Sequence, residues 1–146
     1  MKMRLISGFV MVALLVVVGQ AAQKDVPMKG TGSGQITGMA PGPNDTVVIS
    51  AIGSGEATHL GKFTRVESIT LNPATGAVTG SITFTAADGS ELYCDFSGNF
   101  AAGGGTYTWT DGTGRFADAS GSAGFTVAQS DPVNFSFAFA GSIELN

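Results

Sequence analysis

The feature that most constrains this 146-residue chain is the strict alternation in its last strand-like run, residues 134–145. Apolar and polar side chains fall on opposite sets of positions there: Phe135, Phe137, Phe139, Ile143 and Leu145 against Asn134, Ser136, Ser142 and Glu144. A period of two is typical of a β-strand with one buried face. The chain must therefore supply other strands that cover this aromatic side.

Further strand-like runs precede it, with no helical periodicity after the N-terminal segment. Turn residues separate them, most clearly at Asn72–Gly76 and at Asp88-Gly89, where Pro fixes φ and Gly accepts positive φ. The strand-like runs lie at 30–37, 46–51, 53–60, 62–71, 77–85, 91–97, 103–110, 124–128 and 134–145. We interpret these runs as about eight strands in one domain.

An all-β chain of about eight strands without helices leaves either two exposed sheet edges or none. Closure into an antiparallel barrel removes the edges, so we predict a single closed barrel over residues 30–146. A β-sandwich is the alternative, although the Cys–Trp–Cys spacing of immunoglobulin domains is missing. An outer-membrane barrel fits less well, because most strands are rich in Thr, Ser and Gly on both faces.

The N-terminal segment predicts export. Lys2 and Arg4 precede an uncharged, mostly apolar run of 14 residues, 5–18, and Gly19-Gln20-Ala21-Ala22 supplies small residues for cleavage after Ala21. The run is shorter than the roughly 20 residues of a membrane span. We therefore expect a signal peptide at 1–21, a flexible leading segment at 22–29, and a secreted or periplasmic protein.

The net charge limits which partners the chain is expected to bind, and the cysteine content limits how it is held together. Without residues 1–21 the chain has five basic and eleven acidic residues, a net charge of −6. The basic residues are scattered along the chain, so they do not form the basic cluster that nucleic-acid binding needs. An anionic membrane surface would repel the chain. The lone cysteine, Cys94, excludes an internal disulfide and alternates with Leu92 and Phe96, which indicates a buried apolar role. These features are compatible with a homo-oligomer as well as with a monomer.

One glycine-rich segment, Gly112–Gly121, is the most distinctive motif. A phosphate loop would need a following helix and a Gly-Lys-Ser/Thr ending, and neither is present. We interpret its members as a structural loop in which glycines reverse the chain, Phe116 plugs the barrel end and Arg115 braces a neighbouring strand. The residues concerned are Gly112, Gly114, Arg115, Phe116 and Gly121.

The segment reads GTGRFADASG and resembles the GTGxFxxxxG signature of the allene oxide cyclase and dirigent barrels. The stretches ATHLGKFT at 57–64 and TFTAADG at 83–89 are similar to motifs of small exported bacterial proteins of unassigned function. The barrel resemblance implies a calycin-like, eight-stranded antiparallel barrel with a cavity for small apolar or aromatic molecules. It carries over no catalytic residue, because only the glycine loop matches.

Polar residues on two predicted strands are candidate ligand contacts. Alternation puts Arg65 and Glu67 on one face with Phe63, and it puts Tyr93 and Asp95 together on another strand. Facing inward, an ion pair would form a polar spot in a cavity. Facing outward, the ion pair would contribute little to stability. We favour the outward interpretation for all four residues.

Three other residues complete the candidate site. Tyr107 and Trp109 share a face and either line a cavity or pack in the core. His59, the only histidine, fits a structural hydrogen bond better than catalysis. The sequence has no zinc-type spacing, no nucleophile elbow and no cofactor motif, so we expect neither metal nor cofactor.

Three functions follow from these patterns. We favour a non-catalytic binding or scaffold barrel for a small apolar or aromatic ligand. The second is a cyclase or isomerase, which predicts that a polar cluster, such as His59 with Glu67 or Asp95, converges at one cavity mouth. The third is an extracellular structural module. We lean against an enzyme, because the residues form no catalytic constellation.

Overall fold

A computed structural model describes residues 24–146, and the predicted signal peptide lies outside them. Within the described part of the chain no helix is long and apolar enough to cross a membrane. Two short 3-10 turns, Pro43–Asp45 and Gly114–Phe116, interrupt an otherwise all-β chain. The strands are Lys24–Pro41 (β1), Val47–Ala57 (β2), Gly61–Leu71 (β3), Ala77–Ala86 (β4), Glu91–Asn99 (β5), Gly104–Gly112 (β6), Ser120–Gln129 (β7) and Asn134–Leu145 (β8).

The eight strands pair antiparallel in sequence order, and β1 also pairs with β8, which closes the sheet. The predicted closed antiparallel barrel is therefore confirmed over the sandwich. Consecutive connections alternate between the two ends of the barrel. The end that we call the Arg115 end has the connections 58–60, 87–90 and 113–119. The end that we call the Phe100 end has the connections 42–46, 72–76, 100–103 and 130–133.

Aromatic rings of β8 fill the barrel by lying across glycines of β1. Phe139 pairs with Gly30 and Phe135 with Gly34. A Cβ at Gly30 would come within 2.7 Å of Phe139 Cζ, and one at Gly34 within 2.6 Å of Phe135 Cζ. Gly32 stands in the same relation to Phe137. The Gly-rich first strand and the Phe-rich last strand are therefore complementary surfaces of one seam.

The structure corrects the predicted start of the first strand. Residues 24–29, expected as a flexible leading segment, are part of β1, and Met28 is fully buried. This segment pairs only with β8, since β2 joins from Gly30 onward. Pro27 is tolerated because the amide that it lacks faces no second neighbour.

Two other predicted boundaries were wrong. The separate strands at 46–51 and 53–60 are one strand, β2, because Gly53 and Gly55 face the backbone of β1 and allow a close approach without breaking the strand. The predicted loop at 112–121 is shorter, since Gly121 lies inside β7 and pairs with Trp109 and Ile143. Gly121 has a φ of 118°, which suits glycine.

Candidate ligand-binding site

Arg65 and Glu67 face the interior of the barrel. Both follow Phe63 at alternate positions of β3, and only 3% of Arg65 and 7% of Glu67 is exposed. The predicted sharing of a face was sound, but the preferred outward orientation was wrong for these two residues. The interior accepts them because each charge finds a partner there.

The guanidinium of Arg65 makes three kinds of contact. Its Nη2 lies 2.7 Å from Glu67 Oε2, and its Nη1 donates a hydrogen bond of 2.9 Å to the Tyr107 hydroxyl. Its Cζ lies 3.5 Å from the centroid of the Phe137 ring, which is a cation–π contact. These contacts hold the polar group, which we call the Arg65–Glu67–Tyr107 cluster, in the middle of an aromatic core.

One atom of the cluster has no partner. Among the residues 24–146, no protein atom accepts a hydrogen bond from Arg65 Nε, whereas Glu67 Oε2 is paired with Arg65 Nη2 at 2.7 Å. Leaving a buried donor or acceptor unmatched costs about 1–3 kcal/mol. Packing of the core alone therefore does not account for these polar side chains in the interior.

Burial sets the protonation of these groups. Desolvation raises the pKa of Glu67 above its ordinary value, while the charge of Arg65 acts in the opposite direction. Desolvation also raises the pKa of Tyr107 to about 12, so its hydroxyl stays neutral at physiological pH. The cluster thus contains a neutral hydroxyl beside the Arg65–Glu67 pair.

Two small cavities adjoin the cluster. One of about 20 Å³ lies beside Arg65 and Tyr107, and one of about 100 Å³ lies toward the Phe100 end. Glu67, Phe100 and Val127 line both cavities, so these three side chains form the boundary between them. The remaining walls of the larger cavity are Ile36, Ile49, Ile69, Gln129 and Phe135. We call the larger cavity the Phe100 pocket.

The opposite end is plugged. Phe116 is fully buried there, and Arg115 donates hydrogen bonds of 2.7 Å to Asp88 and 2.6 Å to the His59 carbonyl. The Arg115 amide also bonds to Ser90 Oγ at 3.3 Å. These bonds join three connections of the Arg115 end. Access to the interior is therefore more open at the Phe100 end, where Phe100 is only half-buried.

The structure separates the other predicted site residues. Tyr93 and Asp95 lie on the outer face of β5, as expected, and the Tyr93 hydroxyl donates to Glu91 at 3.0 Å. His59 is exposed in the Arg115 end at a φ of 66°. Glu67 lies inside the barrel, whereas His59 and Asp95 are exposed, so the three residues that the cyclase hypothesis gave as its example lie in different surroundings.

Trp109 and Cys94 belong to the packed core. Trp109 is 2% exposed, and its indole Nε1 donates to the Ser142 carbonyl at 3.0 Å. Burial raises the pKa of the Cys94 thiol, which keeps it protonated. Within the described residues 24–146 no three His, Cys, Asp or Glu side chains are grouped to hold a metal ion.

Sequence reasoning missed most walls of the Phe100 pocket. Ile49, Ile69 and Phe135 were recognisable only as core residues, and Phe100 and Gln129 lie outside the predicted strands. The one usable signal was an aromatic residue, Phe100, shortly before the glycine run 103–105. Which connections share a barrel end follows from topology, not from local pattern.

A larger depression of about 1050 Å³ lies on the outer surface and is open to solvent. Its floor consists mainly of small residues of β1, β7 and β8, among them Gly124, Thr126, Ala138 and Ala140. It contains no buried, unmatched polar atom of the kind found in the cluster. The interior site is therefore the better candidate for specific recognition.

Comparisons with known proteins agree with the barrel. No protein-family model matches the chain, and no curated protein matches it. Among solved structures, the chain is similar to the pterocarpan synthase dirigent protein GePTS1, with a TM-score of 0.63 and 14% identity over 84% of this chain and 91% of that chain. It also aligns with a pyocyanin demethylase at a TM-score of 0.46 and 15% identity, over 80% and 99% of the two chains.

The first of these similarities shows a shared fold and nothing more, since identity is so low. The second is too weak to carry an argument. The chain is thus an eight-stranded barrel whose fold resembles that of a dirigent protein. Function has to be argued from the site itself.

Proposed function

We propose that this chain is an exported binding module that takes a small apolar or aromatic molecule into the Phe100 pocket. The observation that supports this most is a cavity of about 100 Å³ whose walls are mainly Ile, Val and Phe side chains. Apolar walls with a few polar groups are typical of ligand sites. The fold shared with a dirigent protein is compatible with such a role.

The dimensions limit the ligand. Sites for drug-sized molecules have about 300–1,000 Å³, so a molecule of several rings is excluded from the Phe100 pocket as it stands. An engineered cavity of about 150 Å³ binds benzene. The Phe100 pocket and the adjoining 20 Å³ cavity approach that size together, and the half-buried Phe100 ring is one of the three side chains that line both. A ligand of one ring is therefore the expected class.

Binding is best tested by a benzene titration that monitors the methyl resonances of Ile36, Ile49 and Ile69 by NMR. These side chains line the pocket, so their resonances should shift and saturate. Val127→Phe adds bulk between the two cavities and should abolish the shifts. Val66→Phe is the matched control, since Val66 is 63% exposed on the outer face of β3 and should leave binding unchanged.

Absence of saturable shifts in the wild-type chain would contradict the proposal and favour a purely structural barrel. Equal binding by the Val127→Phe variant would also contradict it, because the ligand would then occupy another place. Circular dichroism of both variants checks that each remains folded.

Export is the second part of the proposal. Its support is the pattern of Lys2, Arg4, the apolar run 5–18 and the small residues 19–22. The intact mass of the protein recovered from an expressing bacterium should correspond to residues 22–146. A mass that includes Met1 or Lys2 in the exported fraction would contradict cleavage after Ala21.

A further inference from the structure

The polar cluster offers an unmatched donor beside a carboxylate that is able to accept a further hydrogen bond. Among the described residues, the N–H of Arg65 Nε has no acceptor. Glu67 Oε2 is paired with Arg65 Nη2 at 2.7 Å, but a carboxylate oxygen has a second lone pair. Both residues line the 20 Å³ cavity, and Glu67 also lines the Phe100 pocket. A ligand in that pocket therefore has the Glu67 carboxyl on one wall, and Arg65 lines the adjoining 20 Å³ cavity.

The kind of polar group follows from hydrogen-bonding capacity. A hydroxyl both donates and accepts, so a single hydroxyl is able to donate to Glu67 and accept from Arg65 Nε. A carbonyl only accepts, so it would bond to Arg65 Nε and donate nothing to the carboxylate. The 20 Å³ cavity has room for about one oxygen atom with its hydrogen, given that a water molecule needs roughly 10–15 Å³ by the same measure.

Charge excludes ionic ligands. Arg65 and Glu67 already form a pair of opposite charges in an interior where both are nearly inaccessible to solvent. A carboxylate or an ammonium ion would add an unbalanced charge to that interior, which is strongly unfavourable. The ligand that matches the cluster is therefore neutral.

We propose that the Phe100 pocket takes a small aliphatic alcohol, with its hydroxyl between Arg65 Nε and Glu67 and its hydrocarbon body against Ile36, Ile49 and Ile69. This inference rests on the proposed function, because it specifies the ligand of the same pocket. The cavity volume accommodates a saturated body of about five carbon atoms, for which Ile36, Ile49, Ile69 and Val127 supply aliphatic contacts.

The test compares three five-membered rings on the wild-type chain: cyclopentanol, cyclopentanone and cyclopentane. Their shapes are similar, but only the alcohol both donates and accepts. We expect cyclopentanol to bind about tenfold more tightly than the ketone, as a buried hydrogen bond to a charged group warrants. The ¹⁵N–¹H resonance of Arg65 Nε should shift with the alcohol and stay in place with cyclopentane.

Glu67→Gln provides a second reading. The amide that replaces the carboxylate has an NH2 group, which is able to donate to a ketone. The preference for the alcohol over the ketone should therefore shrink severalfold in this variant. A residue with a merely structural role would change the affinity for all three rings alike.

The outcomes separate the two proposals. Equal affinity for the alcohol and cyclopentane, with no shift at Arg65 Nε, would overturn the alcohol inference and leave the binding module intact. Failure of all three rings to shift the isoleucine methyl resonances would overturn the proposed function itself.

Discussion

The side chains of Arg65 and Glu67 form a 2.7 Å ion pair inside the barrel, two positions apart on β3. An ion pair of this kind is costly to bury, because both ions lose their hydration. The cation–π contact with Phe137 and the bond to Tyr107 offset part of that cost. Arg65 Nε nevertheless stays without an acceptor, so the pair is poorly explained by stability alone.

Single and double replacements of the pair by apolar residues should therefore differ in their effect on the free energy of unfolding. Arg65→Met and Glu67→Leu each leave an uncompensated buried charge and should lower the free energy of unfolding by about 3–5 kcal/mol. The double variant should be neutral or more stable by up to about 4 kcal/mol. Urea unfolding measures all three. If the double variant loses the sum of the single losses, the pair is needed for stability.

The seam between β1 and β8 predicts a sharp difference between two glycines. Gly32→Ala should lower the free energy of unfolding by about 1–3 kcal/mol, because its Cβ would meet the Phe137 ring and the Ser54 carbonyl. Gly38→Ala is the matched control on the same strand. Its Cβ would have no neighbour within 4 Å, so the change should stay within about 0.5 kcal/mol. Equal losses in the two variants, measured by thermal unfolding, would refute the close packing.

The Arg115–Asp88 bond predicts an acid-dependent contribution to stability. The hydrogen bond from Arg115 holds the pKa of Asp88 well below its ordinary value of 3.8. A carboxyl with a lowered folded-state pKa stabilises the fold above the unfolded value and loses that contribution as the pH falls. Asp88→Asn should therefore lower the urea midpoint at pH 6, and the difference from wild type should shrink as the pH falls below 3.8.

Arg115→Ala supplies the control for this effect. Without the guanidinium, Asp88 has lost its main partner, so adding Asp88→Asn should change the midpoint little at any pH. A difference between wild type and Asp88→Asn that stays constant from pH 6 into the acid range would show that another contact is responsible.

Phe100 should set the size limit of the pocket. Phe100→Ala removes the wall shared by the two cavities and should admit naphthalene, which the wild-type chain excludes. Because Phe100 is only half-buried, the loss of stability should be about 1–2 kcal/mol, below the 3–5 kcal/mol of a fully buried ring. The gain of naphthalene binding is measured from the shifts of the isoleucine methyl resonances during a titration.

Phe116→Ala is the matched control at the other end of the barrel. Phe116 is fully buried, so its removal should cost about 3–5 kcal/mol. It should not open the Phe100 pocket to naphthalene. Binding of naphthalene by this variant at Ile36 and Ile49, or exclusion by Phe100→Ala, would contradict the proposed role of Phe100.

The barrel was predictable because its strongest signals are local. The alternation of residues 134–145 and the Asp88-Gly89 turn each need only neighbouring residues to be recognised. The first six residues of β1 were missed, since Pro27 and the charged residues around it weaken the strand pattern. Their pairing is with β8, at the far end of the chain.

The site was less predictable because its partners are distant in sequence. Alternation placed Arg65 and Glu67 on one face but left open which face was buried. The deciding contacts come from Tyr107, 42 positions away, and from Phe137 on the last strand. Phe100 lies in a connection, where periodicity gives no information.

The central claim is that small apolar molecules occupy the interior at the Phe100 end. A crystal structure of the protein under xenon pressure tests it most directly, because xenon enters dry apolar cavities. We expect a bound xenon atom in contact with Ile49, Ile69 and Phe135. A barrel interior without xenon, or xenon bound only at the outer surface, would contradict the claim.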